Sequence, residues 1–204
     1  MEQYFHLFDL AGAAVFAISG VLMAYRKHID AFGALVLAAV TAVGGGTLRD
    51  IILDLPVFWV VDPSTLLSIF AAAVMTIIWL RFQSNVPAKP LLIADAIGLA
   101  FFVVMGCQKA LEHGHSDLIA ILMGMITGAF GGLIRDVICQ QMPLVFKGDL
   151  YAIPAILGGL TYTQCLALGV SAYPAMISGM LVTLLMRLGA MKWHWTLEVF
   201  KPHD

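Results

Sequence analysis

Seven apolar stretches, separated by short polar breaks, occupy most of this 204-residue chain and decide what it can fold into. They run roughly over residues 5–25, 31–55, 64–82, 91–110, 117–140, 150–168 and 172–188. A hydrocarbon core of about 30 Å takes about 20 apolar residues per helix. The stretches have that length, and they lack the strict alternation of a barrel strand. They therefore read as helices that satisfy their own backbone inside lipid. Composition agrees: 61% of residues are hydrophobic, 12% are charged, and the mean hydropathy is +0.93. A soluble domain carries about 25% charged residues. With 11 basic and 13 acidic side chains, the chain cannot cover the water-facing surface of a soluble enzyme. The same scarcity excludes a disordered tail, and a net charge of −2 gives no sign of a nucleic-acid partner. The expectation is an all-α integral membrane protein: one transmembrane domain over residues 1–204, seven helices, and no soluble domain or soluble partner.

Small features are consistent with that frame. Cys107, Cys139 and Cys165 lie in apolar stretches without CxxC or Cys/His metal spacing, so they read as small buried hydrophobes. The N-terminal segment MEQYFHLFD lacks a basic leader, so the first apolar stretch is expected to be retained. Orientation follows from basic residues in short loops, which favour the cytoplasmic side. With the N-terminus outside, one face carries Arg26, Lys27, Arg81, Lys89, Lys147, Arg187, Lys192 and Lys201, and the other carries Lys109 alone. The N-terminus is predicted outside and the C-terminus in the cytoplasm. Lys109 is expected to snorkel toward the outer surface.

The chain repeats itself. Shifted by 86 residues, it has 12 identities over the 42 columns that begin with Asp9 on Asp95 and end with Asp50 on Asp136. Matched alanines and glycines mean little in so apolar a chain. Matched Asp9 and Asp95, Gly45-Gly46 and Gly131-Gly132, and Arg49-Asp50 and Arg135-Asp136 in one register mean more. Repeat one covers about 5–82, repeat two about 91–168, and a seventh helix about 172–188. Three crossings separate the two starts, so the copies should enter from opposite faces. Such inverted repeats place the functional path at their interface.

The second and fifth stretches hold the unusual residues: Gly44-Gly45-Gly46-Thr47 ahead of Arg49-Asp50, and Gly128, Gly131 and Gly132 ahead of Arg135-Asp136. Glycine costs a helix about 1 kcal/mol relative to alanine. Close helix packing is one explanation. The other is a kink that bares backbone to a water-filled path, tolerated at membrane depth only beside a cavity or inside protein. A charge near the bilayer centre costs about 2.5–3.5 kcal/mol on insertion scales, so these charges should face inward and pair. Depth matching pairs Asp9 with Arg49, and Asp95 with Arg135. Thr41 and Thr127 could offer hydroxyls to an ion, although a helical threonine more often bonds its own backbone. No nucleophile–base constellation and no phosphate loop is present, which argues against an enzyme.

With these motifs, the chain resembles the prokaryotic branch of the trimeric intracellular cation (TRIC) channel family. GGGTLRD and GGLIRD in paired three-helix repeats carry the resemblance, over essentially the whole chain. It implies a homotrimer in the plasma (inner) membrane of a prokaryote, with an ion path in each protomer and no resident cofactor or metal. The permeant ion would be potassium, with sodium as second candidate. Glycine-kinked helices two and five would line the path. The Lys-Glu-Val segment that the animal branch uses for phosphoinositides is absent. A secondary transporter of a small solute such as glycine is the alternative, because broken helices in inverted repeats also suit transporters.

Overall fold

The computed structural model describes residues 2–83, 85–147 and 150–196. Lys201, counted above among the basic residues, lies outside them. The described residues form α1 (Glu2–Arg26), α2 (Ala31–Ile52), a short α3 (Phe58–Val61), α4 (Ser64–Leu80), α5 (Lys89–Glu112), α6 (Asp117–Ile138), α7 (Ala152–Ala167) and α8 (Ala172–Trp193). A 3-10 turn over Leu144–Phe146 precedes α7. No strand forms among the described residues. Local chemistry sets the boundaries. Asp30 caps α2 by accepting the Gly33 N–H at 2.7 Å, which satisfies one of the helix's free donors. Pro90 sits in the first turn of α5, where its missing N–H costs nothing. Five helices are long and apolar enough to cross a membrane. α4 and α7 have 17 and 16 residues, about 25 Å at 1.5 Å per residue.

The 86-residue offset reappears in three dimensions. α6 starts and ends 86 residues after α2, and both have 22 residues. Asp54 and Gln140, at equivalent positions past the two helix ends, both have left-handed backbone, with φ of 53° and 51°. α3 and the 3-10 turn also correspond. These elements carry the chain back toward the bundle, and each repeat stretch read above as a plain polar break contains one.

α1 and α5 pack side by side in opposite directions, Gly12 facing Phe101 and Gly98 facing Phe16. The rings of Phe16 and Phe102 stack between them at 5.2 Å. α2 and α6 cross on this pair. α4 closes the first repeat against α1 and α2, and α7 closes the second against α5 and α6. α8 lies on α5 and α7. Phe16, Ile69, Leu99, Phe102, Val103 and Met176 form the innermost apolar layer.

α2 and α6 run unbroken through their glycines. The crossing is reciprocal. Gly45 lies against the carbonyl of Thr127, and Gly131 lies against the carbonyl of Thr41. A Cβ at either site would overlap that oxygen. Gly46 faces the ring of Phe58, Gly132 faces Asp95, and Gly128 faces Leu99. Gly45, Gly46, Gly128, Gly131 and Gly132 are buried. The water-exposed backbone expected here is not present in this conformation, because the two helices seal each other at the glycines.

Gly45→Ala and Gly131→Ala are each expected to destabilise the protein by about 1–3 kcal/mol through overpacking against a rigid carbonyl. Gly44→Ala should cost less, because its Cβ meets only the flexible end of Ile134. Thermal unfolding of the three variants in detergent checks the ranking; equal stabilities would refute the crossing as described.

Candidate functional site

Each repeat ends its glycine helix in the same charged device. Asp50 Oδ1 accepts Arg49 Nε at 2.8 Å and lies 2.8 Å from Arg49 Nη2. Its Oδ2 accepts the Phe58 N–H at 2.8 Å. Asp136 Oδ1 accepts Arg135 Nε at 2.9 Å and lies 2.8 Å from Nη2, while Oδ2 accepts the Leu144 N–H at 2.9 Å. All four side chains are buried. A charge-assisted guanidinium–carboxylate hydrogen bond is short and strong. It neutralises the charge and pins the returning chain. Pairing between neighbours in sequence was not expected, since adjacent residues on a helix usually point apart. The only hint was that both motifs place Arg directly before Asp.

Beyond that device the halves diverge. Arg135 Nη1 donates to Asp95 Oδ1 at 3.0 Å and also to Ser19 Oγ. Asp95 Oδ2 accepts the Tyr151 hydroxyl at 2.9 Å. The expected Asp95–Arg135 pair is therefore present, inside a larger cluster. The expected Asp9–Arg49 pair is not among the salt bridges of the described residues. Arg49 is taken by Asp50 and sits 5.5 Å over the Phe58 ring. Asp9 Oδ1 is buried and has no hydrogen-bond partner among the described residues. The reason lies in two substitutions between the repeats. Where the cluster around Arg135 has Tyr151 and Ser19, the equivalent positions around Arg49 are Thr65 and Met105, so the long phenol is replaced by a short side chain and the serine hydroxyl by a thioether.

The threonine hydroxyls bond their own helices. Thr41 donates to Leu37 O and Thr127 to Met123 O, both at 2.6 Å. Thr47 donates to Val43 O at 2.7 Å and accepts Trp59 Nε1 at 3.0 Å. Sequence reasoning missed Tyr151 altogether and counted Arg187 only as a loop charge. Arg187 is 2% exposed, donates to Leu150 O at 2.9 Å and lies 4.6 Å over the Tyr151 ring. No periodicity marks a partnership between residues this far apart in the chain.

Two cavities lie at opposite ends of the antiparallel α1–α5 pair. The first, of about 510 Å³, is lined by Asp9, Arg49, Phe58, Asp62, Lys109 and Glu112 among others. Lys109 thus borders this cavity beside Asp9. The second, of about 190 Å³, is lined by residues that include Met23, Arg26, Gln141, Leu144, Lys147 and Arg187. Met23 and Arg26 correspond by the 86-residue offset to Lys109 and Glu112, and Leu144 corresponds to Phe58. The cavities are therefore repeat-mates of different charge: Asp9, Asp62 and Glu112 border the first together with Arg49 and Lys109, while the second has Arg26, Lys147 and Arg187 and no acid. At the rim of the first, Asp62 bridges His6 at 2.6 Å. The Ser64 hydroxyl, the Ser64 N–H and His6 hold its carboxyl below the usual carboxylate range. No group that could hold a metal occurs among the described residues.

Comparison with known proteins agrees with this architecture. The family model described as "Glycine transporter" matches residues 6–81 and 92–167, one match per repeat. The UPF0126 membrane protein of Vibrio cholerae is 47% identical, covering 96% of this chain and 82% of that protein. The UPF0126 inner membrane protein YadS of Escherichia coli K12 is 46% identical, with 94% of each chain covered. Among solved structures, the TRIC trimeric intracellular cation channel orthologue from Rhodobacter sphaeroides superposes with a TM-score of 0.89 at 35% identity, covering 94% of this chain and 99% of that one. A prokaryotic TRIC channel in 0.5 M KCl gives 0.88 at 28% identity, over 97% and 100%. The chain belongs to this family as a prokaryotic TRIC member, and it is a multi-pass inner-membrane protein.

Asp95→Asn is expected to cost about 3–5 kcal/mol, because it leaves the buried Arg135 without one of its two carboxylates. Asp9→Asn removes a charge that supports no hydrogen bond among the described residues, so it should cost far less. Unfolding in detergent checks the difference; equal losses would mean that Asp9 is also a structural partner.

Proposed function

We propose that the chain is a potassium-permeable monovalent cation channel, a homotrimer with one pore in each protomer. The observation that carries this reading is the pair of repeat-related cavities, which approach from opposite ends and are separated by the α2–α6 crossing. Two blind vestibules meeting at a sealed waist are the closed form of an hourglass path. The solved structures with 28–35% identity are described as TRIC channels, and this favours conduction over glycine transport. The two repeats would form one inverted transmembrane domain, with the N-terminus outside. The Asp9 cavity then faces outward and the Arg187 cavity faces the cytoplasm.

Conduction requires α2 and α6 to part where Gly45 meets Thr127 and Gly131 meets Thr41. Bending at Gly44–Gly46 and at Gly128–Gly132 would present the Thr41 and Thr127 carbonyls to the path, where they replace part of the ion's water. The threonine hydroxyls stay on their own helices. On the inner side, the Tyr151–Asp95–Arg135–Ser19 cluster ties α1, α5, α6 and the start of α7 together. It holds the waist shut until it loosens. The carriers of the function are therefore the glycines and Thr41 and Thr127 at the waist, with Thr47 beside them. The charge pairs of Arg49, Asp50, Asp95, Arg135 and Asp136 set its stability.

Purified protein in a planar bilayer under a potassium gradient is expected to give discrete unitary currents reversing near the potassium equilibrium potential. Saturable glycine uptake without unitary current would overturn the reading. Tyr151→Phe removes a hydrogen bond to a charged group, worth about 1.5 kcal/mol or more. The ratio of open to closed time should rise about tenfold, since 1.4 kcal/mol is a factor of ten in an equilibrium.

A further inference from the structure

We propose that Asp9 is the residue that selects cations at the outer mouth, holding the permeant cation on its free carboxylate oxygen, with Lys109 across the cavity setting how tightly. The proposal deepens the channel reading and rests on it.

Asp9 and Asp95 are the same residue in two copies of one repeat, yet they are used differently. Asp95 spends one oxygen on Arg135 and the other on Tyr151. Asp9 has a buried oxygen with no hydrogen-bond partner among the described residues, and it borders a cavity of about 510 Å³. An unpaired carboxylate oxygen removed from water is costly. A cation that enters the cavity offsets the cost once the side chain turns that oxygen toward it. The space suits a cation that keeps part of its hydration shell, since a water molecule takes about 30 Å³.

The neighbouring charges are already committed. Arg49 is held by Asp50. Asp62 is held by His6 and Ser64. Glu112 accepts Gln108 Nε2 at 2.6 Å. That leaves Asp9 as the carboxylate lining the cavity with a buried oxygen that has no hydrogen-bond partner among the described residues. Lys109 lines the same cavity from α5 and makes no salt bridge among the described residues. Its repeat-mate is Met23, so the fold accepts an uncharged side chain of similar length at that register. A fixed positive charge so near weakens cation binding enough for the ion to move on, as conduction requires.

The test is single-channel recording of the full-length protein under a potassium chloride gradient, at low and at high salt. Asp9→Asn should lower the cation-to-chloride permeability ratio, read from the reversal potential. It should also cut low-salt conductance by about tenfold, the lower end of what a charged cleft adds to local counter-ion supply, with little change at high salt. Asp9→Glu should keep the wild-type ratio, and Lys109→Met should raise low-salt conductance. An Asp9→Asn protein that elutes like wild type and shows unchanged selectivity overturns the proposal. If Asp9→Asn fails to fold, Lys109→Met decides, and unchanged low-salt conductance in that variant overturns it. Wild-type protein without current would overturn the channel reading instead, so the two failures are distinguishable.

Discussion

The structure depends on one constraint: a guanidinium inside a membrane protein must be neutralised where it stands. Arg49 and Arg135 meet it through the adjacent Asp50 and Asp136, and each carboxylate then holds the backbone that follows at Phe58 or Leu144. The charge pair and the chain reversal are thus one unit, built twice. Because the unit spends both carboxylate oxygens, α2 and α6 end rigidly, and their glycine segments are delivered to the same crossing. The Gly45 and Gly131 contacts depend on that delivery.

Duplication fixes the plan, and small departures from it assign the roles. Tyr151 and Ser19 on one side, with Thr65 and Met105 at the matching places on the other, separate a satisfied polar cluster from an open carboxylate. A half-satisfied buried network is unstable, so the low-dielectric interior rewards completing it or opening it to solvent. The second half takes the first course; in the first half the Asp9 oxygen stays buried beside a cavity, without a hydrogen-bond partner among the described residues. The charge of the two cavities differs as well: acids and bases mix at one end, and bases alone line the other.

Much of the architecture was legible in the chain. Apolar run lengths mark the helices to within a few residues, because the hydrocarbon thickness dictates them. The Asp95–Arg135 pair followed from depth matching of two charges that cannot stay unpaired. The Asp9–Arg49 pair followed from the same logic and failed, because Asp50 is nearer and already oriented by Phe58. Lys109 and Arg187 were read as surface charges, and the fold turned both inward, toward cavity and core. Their partners lie on distant segments, and no local pattern records such a meeting.

The sequence by itself determined the membrane setting, the positions of the long apolar helices, the duplication and the identity of the charged motifs. These are properties of composition and period, and each is imposed by the solvent or by the chain's own register. Tertiary structure alone decided that the glycines seal a helix crossing, that Tyr151 and Arg187 belong to the charged core, and that Asp9 keeps an oxygen without a hydrogen-bond partner among the described residues. Those outcomes depend on which groups from far-apart segments reach hydrogen-bond distance first. That competition is settled only when the helices pack.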